Sequence, residues 1–276
     1  MAPGRRHTKA ATAAVTKSRH PPSKALRWPT ICHPRPALTL HQVITDHVFT
    51  IPRFFTPQEC HAWLVFAEQQ LGFPPVPPNV RPRKGEAFRN NARVAVDDNA
   101  MAQRLWRETG LASLLTPWAV QTGRSLGSGG VFATSHCALQ PCSGAVIMHA
   151  QGLNANLRLY RYAPGQRFEQ HYDDSVTDAQ RRTSEFTLLI YLNAPGTDPL
   201  NVLASTLTAR PVDPAKAGGQ TVFYANQGQL RVPVTPQQGM ALLHRHGAHC
   251  LLHEGLAVHH GVKYILRSDI MFAPEP

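Results

Sequence analysis

The sequence predicts a mainly β fold, a double-sheet barrel flanked by α-helices. From residue 157 onward, short segments rich in β-branched, aromatic and leucine residues are separated by Gly, Pro and Asn, a pattern typical of strands and turns. Before them, two segments repeat apolar residues at helical spacing. Helices followed by several short, irregularly connected strands indicate one barrel packed against helices.

The first helix is predicted to begin at Thr56, which is suited to the N-cap position. Pro57 follows at the first helical position, Glu59 completes a capping box, and Gly72 stands where a C-terminal glycine cap belongs. A second helix is predicted from Asp98 to Gly110. Each helix has one apolar stripe, which predicts packing against a sheet rather than a cofactor site.

The predicted strands cover residues 157–162, 186–192, 221–224, 240–244 and 263–272. Residues 81–91 are polar and basic, so we expect an exposed loop, which either contacts substrate or is merely a solvated face. The Gly-, Ser- and Pro-rich stretches 121–144 and 194–217 are predicted to be loop insertions.

The net charge of +11 is concentrated at the N-terminus. Eight Lys or Arg residues and no acidic residue precede Asp46, which leaves 20 basic against 17 acidic residues in the rest of the chain. Residues 1–40 are therefore predicted to be a disordered basic tail or a mitochondrial or plastid transit peptide. Residues 41–276 are predicted to form a single domain, with helical support in 41–120 and the barrel core in about 150–276.

Targeting features and cysteines narrow the class of protein. The five cysteines are scattered without a CxxC pair, which argues against a disulfide scaffold and a zinc ribbon. No segment has the apolar length of a secretory signal or a membrane span. We expect a soluble intracellular protein, organellar if the tail is a transit peptide, with no membrane partner.

The segment His171-Tyr172-Asp173 contains two candidate metal ligands, His171 and Asp173. Residues at i and i+2 of an extended strand point to the same face, so His171 and Asp173 can serve one ion. Two histidines and one carboxylate leave open coordination positions on Fe(II). Six histidines could complete the set downstream: His244, His246, His249, His253, His259 and His260.

The combined motifs resemble the 2-oxoglutarate/Fe(II) oxygenase superfamily, and within it the prolyl 4-hydroxylase-like branch. The resemblance covers about residues 154–272. The matching positions are Tyr162, Gly165, His171, Asp173, Thr187, Tyr191-Leu192-Asn193, Gly218-Gly219-Gln220-Thr221, Pro236-Gln237-Gln238-Gly239, His253-Glu254 and Lys263. It implies the double-stranded β-helix (jelly-roll) oxygenase fold. The 194–217 connection is longer than the family pattern.

The resemblance also implies roles for individual residues. His253 lies ten residues before Lys263, as the pattern requires, and is expected to complete the metal and catalytic set with His171 and Asp173. Lys263 is expected to pair with the distal carboxylate of 2-oxoglutarate, with Tyr162 and Thr187 as hydrogen-bonding partners. Arg267 shares the strand face of Lys263 and is the rival anchor.

The implied activity is that of an Fe(II)- and 2-oxoglutarate-dependent dioxygenase, with L-ascorbate as an expected cofactor. It would release succinate and CO2 while hydroxylating a protein or peptide substrate, with a prolyl residue as the leading candidate. One alternative is oxidative demethylation of nucleic acid, although the charge lies mainly in the tail and no stacking-aromatic groove is evident. Another is a catalytically silent barrel that acts as a binding module, although all three ligands and an oxo-acid anchor are present.

Overall fold

The computed structural model of the chain describes residues 26–33, 36–77, 81–122, 131–134, 146–197, 212–213 and 216–274. The helices of this part are α1 (Pro57–Phe66), extended by a π-helical turn (Ala67–Leu71), α2 (Asn99–Glu108) and α3 (Leu111–Leu115). The strands are β1 (His41–Ile44), β2 (Val48–Ile51), β3 (Ala92–Asp97), β4 (Ala119–Thr122), β5 (Val131–Ala133), β6 (Val146–Leu153), β7 (Asn156–Tyr162), β8 (Phe168–His171), β9 (Thr183–Tyr191), β10 (Thr221–Ala225), β11 (Leu230–Val234), β12 (Ala241–Arg245), β13 (Leu252–Gly255) and β14 (Lys263–Pro274).

Two antiparallel sheets form the body of the protein. The larger sheet has ten strands: β1-β2-β12-β9-β14-β6-β4-β5 in order, with β7 on the first half of β14 and β3 on β7. The smaller sheet has the order β11-β10-β13-β8. Apolar side chains of both sheets meet in one buried cluster, so the sheets pack face to face. The predicted jelly-roll fold is confirmed.

Strand β14 illustrates how the larger sheet separates two environments. Successive side chains of a strand point to opposite faces. Tyr264 and Leu266 belong to the core that packs against the helices. Ile265 belongs to the core between the sheets, and the polar residues Lys263 and Arg267 share its face. The interior of the barrel is therefore where charged groups of β14 are buried.

The predicted helix starts are confirmed by their capping contacts. The Thr56 hydroxyl accepts a hydrogen bond from the Glu59 amide at 3.1 Å, and the Glu59 carboxylate accepts from the Thr56 amide at 2.8 Å. Gly72 ends the π-helical turn with a positive φ of 67°, and Asp98 accepts from the Met101 amide at 2.8 Å. These contacts are local, which is why the sequence predicts them.

The N-terminal half differs from the predicted helical support. Strand β2 pairs with β12 and β3 pairs with β7, so this half also widens the larger sheet. The ordered body begins before residue 40, because Ile31 is 3% exposed in the helix-side core. Trp28 lies nearby, with its ring 4.7 Å from that of Phe66 and its indole N–H donating to Asp98.

The basic 81–91 segment is only partly the exposed loop that the sequence predicts. Residues 81–85 are exposed, but Arg89 forms an antiparallel bridge with Phe168 on β8. The Glu169 amide also donates to the Phe88 carbonyl at 2.9 Å. The segment therefore borders the smaller sheet. Of the predicted insertions, 121–144 contains β5, and most of both stretches lies outside the described residues.

Candidate active site

Strand β8 delivers the first histidine of the site. His171 is its last residue, and Asp173 follows on the same side of the extended chain. Both side chains are buried, with His171 3% and Asp173 4% exposed. The His171 Nε2 atom lies 3.7 Å from Asp173 Oδ1. The structure thus brings this predicted pair together inside the barrel.

Strand β13 delivers the second histidine from the neighbouring position of the smaller sheet. His253 is paired with His171 across the strands, and the two ring centroids are 4.2 Å apart. The His253 Nε2 atom lies 3.9 Å from Asp173 Oδ2. One potential ligand atom from each of the three residues falls within 4.8 Å of the others.

Backbone carbonyl groups orient both imidazole rings. The Nδ1 atom of His171 lies 2.7 Å from the Glu169 carbonyl, and that of His253 lies 2.9 Å from the Leu251 carbonyl. A carbonyl only accepts hydrogen bonds, so each Nδ1 carries the proton and each Nε2 keeps a lone pair. Burial lowers the pKa of His171 well below its ordinary value and also lowers the pKa of His253. Both rings are thus neutral and able to bind a cation.

Asp173 is held as an anion by its neighbours. Burial favours a raised pKa, but the guanidinium of Arg267 holds the pKa of Asp173 well below its usual range. Arg267 Nη2 lies 2.9 Å from Asp173 Oδ2, and Nη1 donates to Oδ1 at 3.4 Å. The Thr187 hydroxyl donates to Oδ2 at 2.9 Å. Thr187 and Arg267 were expected to contact the 2-oxo acid. In the structure both contact the carboxylate of Asp173 instead.

Lys263 occupies a separate, largely aromatic environment. The side chain is 2% exposed, and its Nζ atom donates to the Gly219 carbonyl at 2.5 Å. Nζ lies 5.3 Å from the ring centre of Tyr162, its partner across the strands, and 5.5 Å from that of Tyr191. Burial lowers the pKa of this ammonium to about 7. Gly219 has φ +74°, and a Cβ there would lie 3.2 Å from the Lys263 Cδ atom.

Two motif residues gain neighbours that were not predicted. The hydroxyl groups of Tyr191 and Thr221 form a hydrogen bond of 2.7 Å, and the Tyr191 ring lies beside Lys263. Both belong to motifs that the sequence already marked, Tyr-Leu-Asn and Gly-Gly-x-Thr, so a signal for them was present. Their proximity to each other depends on two strands of different sheets and could not be read from spacing.

Arg89 is a further residue that the motifs do not mark. Its guanidinium lies between two rings, 4.4 Å from the centre of Tyr160 and 4.6 Å from that of Phe168. The Phe168 ring in turn stacks on His171 at 3.5 Å between centroids. Arg89 Nε donates to Asn91 at 2.7 Å, whereas Nη2 is buried without a hydrogen-bond partner among the described residues.

The other histidines separate into neighbours of the site and surface residues. His244 Nε2 lies 3.8 Å from Asp173 Oδ2, and His246 Nδ1 lies 3.1 Å from the Thr187 hydroxyl. His259 and His260 are exposed. A second set of potential ligands, His244, Cys250 and His253, overlaps the first. In this set the Cys250 sulfur lies 3.8 Å from His253 Nδ1, the nitrogen whose proton is directed to a carbonyl.

The donor set fits a divalent transition metal. Two neutral imidazoles and one carboxylate form the combination that Fe(II) oxygenases use, with positions left for a co-substrate and dioxygen. Two ligand atoms that are each about 2.1 Å from one ion can be at most about 4.2 Å apart. The two imidazole–carboxylate distances, 3.7 Å to Oδ1 and 3.9 Å to Oδ2, meet that condition, and all three ligand atoms lie within 4.8 Å of one another.

Residues 157–268 match the family described as the 2OG-Fe(II) oxygenase superfamily. No curated protein matches the chain. The chain is similar to the viral collagen prolyl hydroxylase of Paramecium Bursaria Chlorella virus-1, solved as a 2OG complex, with 16% identity, a TM-score of 0.46 and coverage of 82% of this chain and 97% of that one. A Pseudomonas putida prolyl-4-hydroxylase matches with 15% identity, a TM-score of 0.45 and coverage of 82% and 94%. A Trichoplax adhaerens prolyl hydroxylase, in complex with a hypoxia inducible factor peptide fragment, matches with 14% identity, a TM-score of 0.48 and coverage of 82% and 84%.

No helix among the described residues is both long and apolar enough to span a bilayer. The segment 157–268, which contains His171, Asp173, His253 and Lys263, therefore matches the 2OG-Fe(II) oxygenase superfamily, and this match supports a 2-oxoglutarate-dependent dioxygenase.

Proposed function

We propose that this dioxygenase binds Fe(II) through His171, Asp173 and His253 and hydroxylates a residue of a protein substrate, prolyl being the leading candidate. One observation carries the ligand assignment. Two neutral imidazoles direct their free Nε2 atoms at one buried, ionised carboxylate, at 3.7 Å and 3.9 Å. Two imidazole lone pairs and a carboxylate that converge on one point form a donor set for a divalent transition metal, so the arrangement favours a bound cation.

The proposal prefers His253 to its neighbour His244. The His253 ring is fixed by the Leu251 carbonyl at 2.9 Å, whereas the corresponding contact of His244, to the Arg245 carbonyl, is 3.3 Å. A ligand ring held by a second hydrogen bond loses less entropy when it binds a metal. The Cys250 thiol is not a competing ligand in this proposal, because burial raises its pKa and disfavours the thiolate.

Lys263 is the proposed partner of the distal carboxylate of 2-oxoglutarate, with Tyr162 beside it. Among the buried cations of the described β14 strand, Arg267 is already engaged with Asp173, whereas Lys263 has only a carbonyl acceptor. The distal carboxylate of 2-oxoglutarate, placed next to the Lys263 ammonium, would give this buried cation the anionic partner that the described residues do not provide. Thr187 and Arg267 are then proposed to keep Asp173 oriented and ionised.

The chain and its cofactors divide the work. When bound, the iron and 2-oxoglutarate supply the oxidation of a C–H bond by dioxygen, with release of succinate and CO2. The protein fixes the ligands, anchors the co-substrate and excludes water with a barrel interior lined by side chains such as Phe223 and Tyr191. Ascorbate is proposed as the reductant that returns oxidised iron to the ferrous state. The protein substrate is carried over from the motif resemblance to prolyl 4-hydroxylases.

The test compares wild type with His171→Ala, His253→Ala and His244→Ala. Bound metal is measured by titration with Co(II), and turnover by succinate formed from 2-oxoglutarate under Fe(II) and ascorbate. We expect both readouts to be lost in the first two variants and kept in His244→Ala. Turnover that survives His253→Ala, or metal that is lost with His244→Ala, contradicts the ligand assignment. Prolyl hydroxylation is then sought by mass spectrometry of proline-containing peptides, and hydroxylation at another residue type would overturn that part of the proposal.

A further inference from the structure

Residues 81–93 form a basic strip that borders the smaller sheet at Arg89 and ends in β3 of the larger sheet. The strip contains Arg81, Arg83, Lys84, Arg89 and Arg93 against one acidic residue, Glu86. Its first three cations are exposed to solvent. No side chain of the five cations forms a salt bridge with a carboxylate in the part of the chain that the structure describes. The strip therefore offers positive charge that the protein itself leaves uncompensated.

The direction of the strip brings its exposed end to the site. The bridge between Arg89 and Phe168 is antiparallel, and Phe88 bonds to Glu169. Residues before Arg89 therefore run beside the end of β8, toward His171. The chain reverses there in a turn in which the Glu86 amide donates to the Arg83 carbonyl at 2.9 Å. From this register we infer that the turn with Arg83 and Lys84 lies at the end of β8 that holds His171.

The inner end of the strip is a cation without a carboxylate partner. Arg158 and Arg267 pair with Asp269 and Asp173, whereas Arg89 contacts the rings of Tyr160 and Phe168 and forms no ion pair with a carboxylate in the part of the chain that the structure describes. A divalent metal and a dianionic 2-oxo acid cancel each other, so both together leave the charge of Arg89 uncompensated. The pKa of Tyr160 reflects the positive charge of the arginines around it. Burial would raise this pKa, but the charges of Arg89, Arg267 and Arg158 lower it to about 7.

The surface chemistry favours an acidic peptide over a nucleic acid. Proteins that bind single-stranded nucleic acid combine cations with exposed aromatic rings on which bases stack. The exposed large apolar residues of the described chain are Val43, Val146, Val176 and Leu230, none of which is aromatic. The arginines and the lysine of the strip pair with carboxylates and phosphates alike, so the lack of such rings among the described residues is what favours a peptide.

We propose that the 81–93 strip recognises an acidic segment of the protein substrate and guides the adjoining residue into the barrel. The inference rests on the proposed protein hydroxylation and adds the substrate class, a peptide with Asp or Glu next to the oxidised residue. The exposed turn of Arg83 and Lys84 contacts the acidic side chains first, and the unpaired charge at Arg89 draws the chain inward.

The experiment uses the full chain and three fluorescent probes in an anisotropy titration. The first probe is a proline-containing peptide flanked by glutamates, the second is the same peptide with glutamines, and the third is an oligothymidylate. Wild type is compared with Arg83→Gln/Lys84→Gln and with Arg53→Gln/Arg107→Gln. The last variant removes the same charge from exposed positions outside the strip.

We expect the glutamate peptide to bind wild type at least about 10-fold more tightly than the glutamine peptide, with an affinity that falls as salt rises. The strip variant should weaken that binding about 3- to 10-fold, and the control variant less than twofold. Equal affinity for the two peptides, equal loss in both variants, or preference for the oligonucleotide would overturn the inference. Uncoupled succinate formation that depends on His171 is measured in parallel, so that failure of the acidic preference is distinguished from failure of the proposed enzyme activity.

Discussion

Replacement of Lys263 by methionine is expected to raise the free energy of unfolding and to abolish 2-oxoglutarate binding. Burial lowers the pKa of Lys263 from 10.5 to about 7. The unfolded chain keeps the ordinary pKa, so holding the ammonium inside the fold opposes folding. The penalty is largest below pH 7 and disappears above about pH 10.5. At pH 7.5 the pKa difference corresponds to about 4 kcal/mol.

Methionine has a similar length and no charge, so it removes this penalty. The substitution also leaves the Gly219 carbonyl without its donor, which costs about 1–2 kcal/mol. We therefore expect Lys263→Met to raise the free energy of unfolding by about 2 kcal/mol without ligand. This corresponds to a Tm increase of about 4–8 °C. The same variant should lose 2-oxoglutarate binding, because its carboxylate partner is gone.

The assay is thermal unfolding at pH 7.5 by circular dichroism, with and without 2-oxoglutarate and Co(II), beside isothermal titration of 2-oxoglutarate. Lys216→Met is the matched control, because Lys216 is exposed and should shift the Tm little. A lower Tm for Lys263→Met would refute the burial argument. Unchanged affinity for 2-oxoglutarate would refute the anchor assignment.

Three further predictions concern the same framework. The affinity for 2-oxoglutarate should weaken as pH rises above about 7, by up to about tenfold per pH unit, because Lys263 must be protonated to bind it; titrations between pH 6.5 and 8.5 test this, with Lys263→Arg as the permanently charged control, and a flat wild-type profile would contradict it. Arg267→Leu should reduce Co(II) affinity about 10- to 100-fold, because the pKa of Asp173 rises and its orientation is lost; unchanged affinity in a Co(II) titration would show that the pair has no role in metal binding. Ile31→Ala should lower the free energy of unfolding by about 2–4 kcal/mol, because Ile31 is 3% exposed in the core; urea denaturation measures this, and a loss below about 0.5 kcal/mol would mean that the segment before residue 40 is not part of the cooperative fold.

Local signals account for what the sequence predicted well in the fold. The capping residues Thr56 and Asp98 act within one turn of their own helices, so their effect is readable without the rest of the chain. The short strands β2 and β3 were not predicted, because their partners β12 and β7 lie far along the chain. The burial of Ile31 was missed for the same reason, since its basic surroundings resemble those of a solvated tail.

In the candidate site, too, local features could be predicted from the sequence and contacts between distant segments could not. The alternation of a strand places His171 and Asp173 on one side, and the motif spacing selects His253. Spacing does not say that Thr187 and Arg267 approach Asp173, which requires β9, β14 and the end of β8 to converge. It also does not mark Arg89, whose position between Tyr160 and Phe168 depends on a loop that pairs with β8.

The sequence by itself determined the fold class, the helix starts and the residues that can carry metal and oxo-acid chemistry, because these depend on residue type and short-range periodicity. Only the tertiary structure decided which cation meets which anion. Arg267 and Lys263 share one face of β14, and their neighbours across the barrel give one a carboxylate and the other an aromatic pocket. The energy of a buried charge depends on such neighbours, which lie many residues away in the chain.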